Sequence, residues 1–242
     1  MGHSKNYKKT KIIPDLERII PDQLSRHSRR LFMEHIDRYN FALPYVHDKM
    51  VADVACGSGY GSHLLANNGA KKVTGIDCDR KTIQYAKKRY PRCNITYKVG
   101  EAEDLPLSTI SIDVVVSFET IEHIENPKRF LSEAKRVLKK SGLLIISTPN
   151  KKYSIGDNPF HFSEHNLEEF NQLLKKYFRD VIIYGQRPVF QPIMIVYRFL
   201  IKFLPLALHP LLHMRPWERL DIKKITNIHD DGYVYFVALC KE

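Results

Sequence analysis

The chain has 242 residues, of which 43% are hydrophobic and 27% charged, an ordinary globular composition that suits one α/β domain with a cap or insertion better than two independent domains. Its four cysteines, Cys56, Cys78, Cys93 and Cys240, form no C-x-x-C pair. That sets aside a disulfide scaffold and a zinc knuckle, and the expectation is reduced thiols in a cytoplasmic protein. The formal net charge of +11 admits an anionic partner (RNA, a nucleotide-sugar, a phospholipid surface or a phosphorylated glycan) without choosing among them, and a lysine-rich proteome gives the same balance.

Residues 1–14 are polar and basic and have no apolar h-region behind them, so no secretory signal is expected. Residues 15–48 are helical in pattern, with Leu24, Leu31, Phe32 and Ile36 near one face. They precede the first strand and are expected to form an added cap. From Lys49 short apolar runs alternate with amphipathic stretches. The pattern predicts strands over 50–55, 72–76, 95–99, 112–118, 143–147, 181–184 and 233–240, and helices over 60–67, 81–90, 127–139 and 167–177. Strands alternating with helices imply an α/β, doubly wound, mostly parallel seven-stranded sheet covered on both faces.

The expected organisation is a tail and helical cap over 1–48, a core over 49–187, an insertion over 188–220 and the final strand of the core within 221–242. The insertion is the most apolar part of the chain, interrupted by Arg198 and Lys202 and punctuated by Pro192, Pro205, Pro210 and Pro216. No run in it approaches the roughly 20 apolar residues that span a bilayer. It reads as a lid over a ligand site or as buried packing, with peripheral membrane contact through its basic anchors as the alternative.

The segment Met50-Val51-Ala52-Asp53-Val54-Ala55-Cys56-Gly57-Ser58-Gly59-Tyr60-Gly61 is an apolar strand running through a small, glycine-rich turn into a helix. Glycines let backbone approach a ligand closely, and a helix start offers unpaired N–H groups. The spacing is G-x-G-x-G and not the G-x-G-x-x-G of nicotinamide sites. Asp77 ends the next strand, where a carboxylate can accept both hydroxyls of a ribose. Val99-Gly100-Glu101-Ala102-Glu103-Asp104-Leu105-Pro106 follows the third strand, where an adenine ring could be gripped.

These three segments, in this order, resemble class I S-adenosylmethionine-dependent methyltransferases over roughly residues 40–185. The resemblance implies a Rossmann-like methyltransferase fold with S-adenosyl-L-methionine as cofactor. Asp53, Ala55, Gly57 and Gly59 would line its methionine portion, Asp77 its ribose and Glu101 with Ala102 its adenine, and Phe118 would lie near the sulfonium. Ala55 stands where the family usually has glycine, and Glu101 where it usually has aspartate.

After the fourth strand comes Phe118-Glu119-Thr120-Ile121-Glu122-His123. If a helical turn begins there, Glu119, Glu122 and His123 share one face. His161, in Asn158-Pro159-Phe160-His161-Phe162-Ser163-Glu164, could add a second imidazole. Two carboxylates and two imidazoles suit a divalent ion with open positions, Mg²⁺ or Mn²⁺ by oxygen content, with Fe²⁺ or Zn²⁺ open. Such an ion would lower the pKa of a hydroxyl and aim it at a methyl group; otherwise His123 or His161 would act as general base.

Three groups share parts of this pattern. The E-x-x-E-H followed by T-P-N and a further His is similar to small-RNA 3′-end 2′-O-methyltransferases, although the F-E-W after that family's final His is absent. A related pattern occurs in quinone-biosynthetic O-methyltransferases. The A-C-G-S-G-Y-G-S turn, N-P-F-H-x-x-E and the stretch around Glu17-Arg18, His35 and Arg38-Tyr39 resemble bacterial methyltransferases of glycan and surface-polysaccharide synthesis more broadly, so a sugar or glycan hydroxyl is the expected acceptor. The non-enzymatic alternative is a cofactor-binding module whose insertion holds a partner enzyme.

Overall fold

The structure is a computed structural model that describes residues 19–24, 26–154, 160–189, 222–227 and 230–242. The tail, Asn158-Pro159 and nearly all of the 188–220 insertion lie outside the described residues. Among them, no helix is long and apolar enough to cross a membrane.

The cap is one helix, α1 (Arg26–Ala42), followed by a short 3-10 turn. The core then alternates β1 (Met50–Val54), α2 (Tyr60–Asn67), β2 (Lys72–Asp77), α3 (Arg80–Arg89), β3 (Ile95–Val99), β4 (Ile112–Ser117), α4 (Pro127–Val137), β5 (Leu138–Pro149), α5 (Leu167–Lys175) and β6 (Asp180–Pro188). Two reversed strands, β7 (Ile222–Lys224) and β8 (Tyr233–Lys241), complete it. Helix starts are specified locally: Asp79 accepts from the Lys81 N–H at α3, and Asn166 with Glu169 forms a capping box at α5.

The sheet has eight strands in the order β3-β2-β1-β4-β5-β8-β6-β7. The first five pair in parallel, and β8 runs antiparallel between β5 and β6. The doubly wound reading holds, but the expected seven strands become eight. The extra one, β7, is three residues long, Ile-Lys-Lys, too short to show a period. Its two exposed lysines suit a sheet edge.

The central parallel strands are buried on both faces. On β4, Val115 joins Ile76, Phe130, Leu131, Phe170 and Phe236 on one side. Val114 and Val116 join Tyr39, Leu65, Val73 and Ile145 on the other. This is the period-two alternation of a strand read from both faces. Chain order reverses between β1 and β4, so the crevice between their C-terminal ends is the expected ligand position of an open α/β sheet. The glycine-rich turn leaves β1 there, and Glu119 follows β4.

Candidate active site

Three residues of the turn after β1 adopt left-handed backbone: Ala55 at φ +57°, Gly57 at +53° and Gly59 at +85°. Ala55 tolerates a conformation that costs a non-glycine residue about 1–2 kcal/mol. It is exposed on the lip of the crevice. A Cβ built on Gly57 meets nothing within 4 Å, so open space lies in front of the turn. At Gly59 a Cβ would lie 2.7 Å from Cβ of Ala86, so this glycine lets α3 close against the turn.

Asp77 is buried, at 7% exposure. Its Oδ2 accepts from the Gly57 N–H at 3.0 Å and its Oδ1 from the Asp79 N–H at 2.9 Å. Both oxygens thus hold backbone N–H groups, one from the turn and one from the start of α3. Gly100 N donates to the Asp77 carbonyl at 3.1 Å, which ties the loop of Glu101 and Ala102 to the end of β2. Glu101 is exposed and Ala102 half-buried.

Asp53 takes another role than expected. Asp53 has no exposure; its oxygens accept from Tyr39 Oη at 3.0 Å and Ser62 Oγ at 2.6 Å. It braces the turn from behind. Burial, the largest effect, pushes its carboxyl up to about 7 against the lowering bonds from Ser62 and Tyr39. Phe118 is buried edge-on against Tyr39, ring centroids 5.0 Å apart.

Sequence reasoning assigned no role to Tyr39 or Arg38, neighbours on α1. Tyr39 packs so close to α2 that a Cβ on Gly61 would lie 1.9 Å from its ring; the third glycine of the motif answers this contact. Arg38 is buried with its guanidinium 4.8 Å from the centroid of the Tyr235 ring. It donates to Gln186 Oε1 at 2.6 Å and lies 3.9 Å from Glu119 Oε1. Its Nε has no hydrogen-bond partner. The aromatic and arginine neighbours were within one helical turn of His35 in the sequence, yet only the folded cap shows what they meet.

On the acceptor side, the expected shared face of Glu119, Glu122 and His123 is corrected. Glu119 is left-handed, φ +49°, and the helical turn starts only at Ile121, as the 3-10 turn Ile121–His123. Glu119 therefore points elsewhere: it accepts from Ser147 Oγ at 2.7 Å and faces Arg38. What gathers is Glu122, His123 and His161, one donor atom from each within 4.8 Å of the others.

Glu122 is 1% exposed and accepts from Thr148 Oγ1 at 3.2 Å. Burial first and Glu119 second push its carboxyl well above the usual range. His123 Nδ1 lies 3.1 Å from the Phe160 carbonyl. A carbonyl only accepts, so Nδ1 carries a proton and donates; Nε2 lies 4.0 Å from Glu122 Oε1. His161 Nδ1 meets Glu164 Oε1 at 2.5 Å, and that oxygen also accepts from Ser154 Oγ. The two rings stand 4.7 Å apart at 80°. Backbone links fix the arrangement: Phe162 N and Ser163 N both donate to the Glu122 carbonyl.

The fold is that of solved S-adenosylmethionine-dependent methyltransferases. Residues 52–146 match a family model described as a methyltransferase domain. It is 42% identical over 130 residues to a probable S-adenosylmethionine-dependent methyltransferase of Mycolicibacterium smegmatis, covering 52% of this chain and 49% of that protein. It is 34% identical over 107 residues to a ubiquinone biosynthesis O-methyltransferase of Coxiella burnetii, covering 43% and 45%. The chain thus spans about half the length of the curated relatives it matches. A solved S-adenosylmethionine-dependent methyltransferase from Thermotoga maritima has the same fold, with TM-score 0.60 and 20% identity over 88% of this chain and 94% of that one. So does phosphoethanolamine N-methyltransferase 2 of Haemonchus contortus, at TM-score 0.60 and 19% identity over 85% and 52%.

Proposed function

We propose that this chain is an S-adenosylmethionine-dependent O-methyltransferase acting on a hydroxyl of a sugar or glycan. The observation that carries it is the placement of Glu122, His123 and His161 beside the same switch-point crevice that Gly57 and Asp77 line. Methyl transfer from a sulfonium is an in-line displacement, and an alcohol attacks poorly until its proton leaves. Two imidazoles, each bonded through Nδ1 to a peptide carbonyl or to Glu164, are suited to take that proton. Phe160 and Phe162, 45% and 65% exposed on either side of His161, offer flat apolar faces to a ring-shaped acceptor.

In the cofactor crevice, Asp77 would hold the ribose, the Ala55–Gly59 turn would face the methionine portion, and Glu101 with Ala102 would meet the adenine. The space in front of Gly57 and the place of Asp77 at the end of β2, bonded to the turn, fit that ligand.

The acceptor cluster also fits a divalent ion. Glu122 is a buried carboxyl 4.0 Å from His123 Nε2, and each histidine's Nδ1 is engaged by a carbonyl or carboxylate, as in metal-bound imidazoles. With Glu119 turned to Arg38, the donors are two imidazoles and one carboxylate, a set suited to Mn²⁺, Fe²⁺ or Zn²⁺ more than to Mg²⁺. When bound, such an ion would acidify and orient the acceptor hydroxyl. The protein's own contribution is to hold the imidazoles rigid through the 160–163 loop and to keep Arg38 and Glu119 behind them.

The Coxiella relative's name favours a second reading, a quinone-type or other natural-product hydroxyl. We place the enzyme in the cytoplasm, with membrane contact through 188–220 part of the same proposal. An acceptor screen with methyl-labelled cofactor, with and without chelator, tests it. Label entering sugars or glycans supports the reading, with loss on chelation supporting the ion; label entering only phenols or RNA ends replaces the acceptor. Tight cofactor binding with no transfer to any hydroxyl would leave a binding module instead.

A further inference from the structure

The stretch before α1 crosses the cofactor turn. Ser58, between the two turn glycines, donates from Oγ to the Ile19 carbonyl at 2.7 Å. Three residues on, Asp22 is held on α3: its Oδ2 accepts from Tyr85 Oη at 2.9 Å and Arg89 Nε at 3.0 Å, and its Oδ1 from Arg89 Nη2 at 3.3 Å. Tyr85 and Arg89 are four apart and so share one face of that helix. Residues 19–24 therefore bridge the two elements that carry the crevice, the turn after β1 and the helix after Asp77.

The two ends of the cap grip differ in kind. Along α1 the contacts are aromatic and at least half-buried: Phe32 edge-on to Tyr60 at 5.1 Å, Tyr39 to Tyr60 at 5.8 Å, and, fully buried, Tyr39 to Asp53. At Asp22 they are exposed, with side chains about half accessible (50% for Asp22, 48% for Arg89). An exposed ion pair is weak and salt-screened, whereas a buried aromatic contact is not. Opening will begin at the weak end and stop at the buried one.

We propose that residues 19–24 form a releasable strap over the cofactor turn, with Asp22 as its latch and α1 as the fixed side of the hinge. The strap closes equally over the bare turn and over the bound cofactor, so it gates exchange and contributes little to affinity. Asp22 is thus a positioning residue; it need not touch the ligand. This rests on the crevice binding S-adenosylmethionine.

The test measures association and dissociation rates of labelled S-adenosylmethionine by rapid filtration, with affinity by calorimetry, on the full chain. Asp22→Asn should raise both rates about 2–5-fold, the range an exposed pair supports, and leave affinity within about 2-fold. Raising sodium chloride should speed exchange in the wild type and not in Asp22→Asn. The charge-swapped double variant Asp22→Arg with Arg89→Asp should restore slow exchange. Wild-type rates in Asp22→Asn, or a faster release with unchanged association, would overturn the gate. Absence of any cofactor binding by the wild type would instead overturn the underlying cofactor reading.

Discussion

The two halves of the crevice are built differently. On the cofactor side, β1 to β3, the ligand-facing groups are mostly backbone or backbone-bound: the left-handed turn, and Asp77 clamped by the Gly57 and Asp79 N–H groups. On the acceptor side, beyond β4, they are side chains brought together from two loops, Glu122 and His123 from one and His161 from the other. Backbone sites tolerate little variation, because the chain path itself is the ligand. Side-chain sites on loops can change acceptor while the scaffold stays fixed. The halves should therefore fail separately when mutated.

Asp77→Ala should give the largest effect. It removes two hydrogen bonds that fix the turn, together with the group proposed to hold the ribose, so cofactor affinity by calorimetry should fall about 100-fold or beyond detection. Near wild-type affinity would break the assignment of the cofactor half. Next come His161→Ala and Glu122→Gln. Each should lower kcat by about 10²–10⁴, the usual worth of a positioned acid or base, while cofactor affinity stays within about 2-fold. If affinity collapses with turnover, the halves are one unit and the comparison is wrong.

Glu119→Gln sharpens the boundary. Because Glu119 faces Ser147 and Arg38 and not the imidazoles, turnover should fall about 10-fold with the response to added metal and chelator unchanged. A 10–100-fold rise in the metal needed for half-activity would return Glu119 to the ligand set.

The difference between the halves also explains what could be read from the sequence. Strands and helices of the core were legible because each is a short apolar run or an amphipathic stretch; α2 begins and ends where expected, at Tyr60 and Asn67. The cofactor turn was legible because its chemistry is contiguous, twelve residues from Met50 to Gly61. The Glu119 face was misread because an E-x-x-E-H spacing assumes helical backbone throughout, and a single left-handed residue rotates the first carboxylate away. Asp53 looked like a ligand group because it sits beside the glycines. Only the cap helix, far away in chain terms, shows that Tyr39 claims one of its oxygens. Buried polar partners drawn from distant elements leave no local pattern, and the Arg38–Gln186 bond leaves none either.

Asp53 yields the smallest expected effect on turnover and a specific one on stability. Its ordinary value is 3.8 and its folded value about 7. Between those values the unfolded chain has lost the proton that the native state keeps, so the native state binds more protons and stability falls as pH rises through that window. Below the window both states are protonated and nothing is lost; above it the full penalty is present, at most about 4 kcal/mol for a shift of about 3 units. Asp53→Asn cannot ionise, so its melting temperature relative to wild type should climb by several degrees between about pH 4.5 and 8. The asparagine oxygen can still accept from one of Tyr39 and Ser62, and losing the other bond costs about 1 kcal/mol at every pH. The difference between the two melting curves, and not either curve alone, isolates the carboxyl from other titrating groups. A pH-independent difference would mean that Asp53 is ionised in the native state, with Tyr39 and Ser62 holding a charge behind the turn.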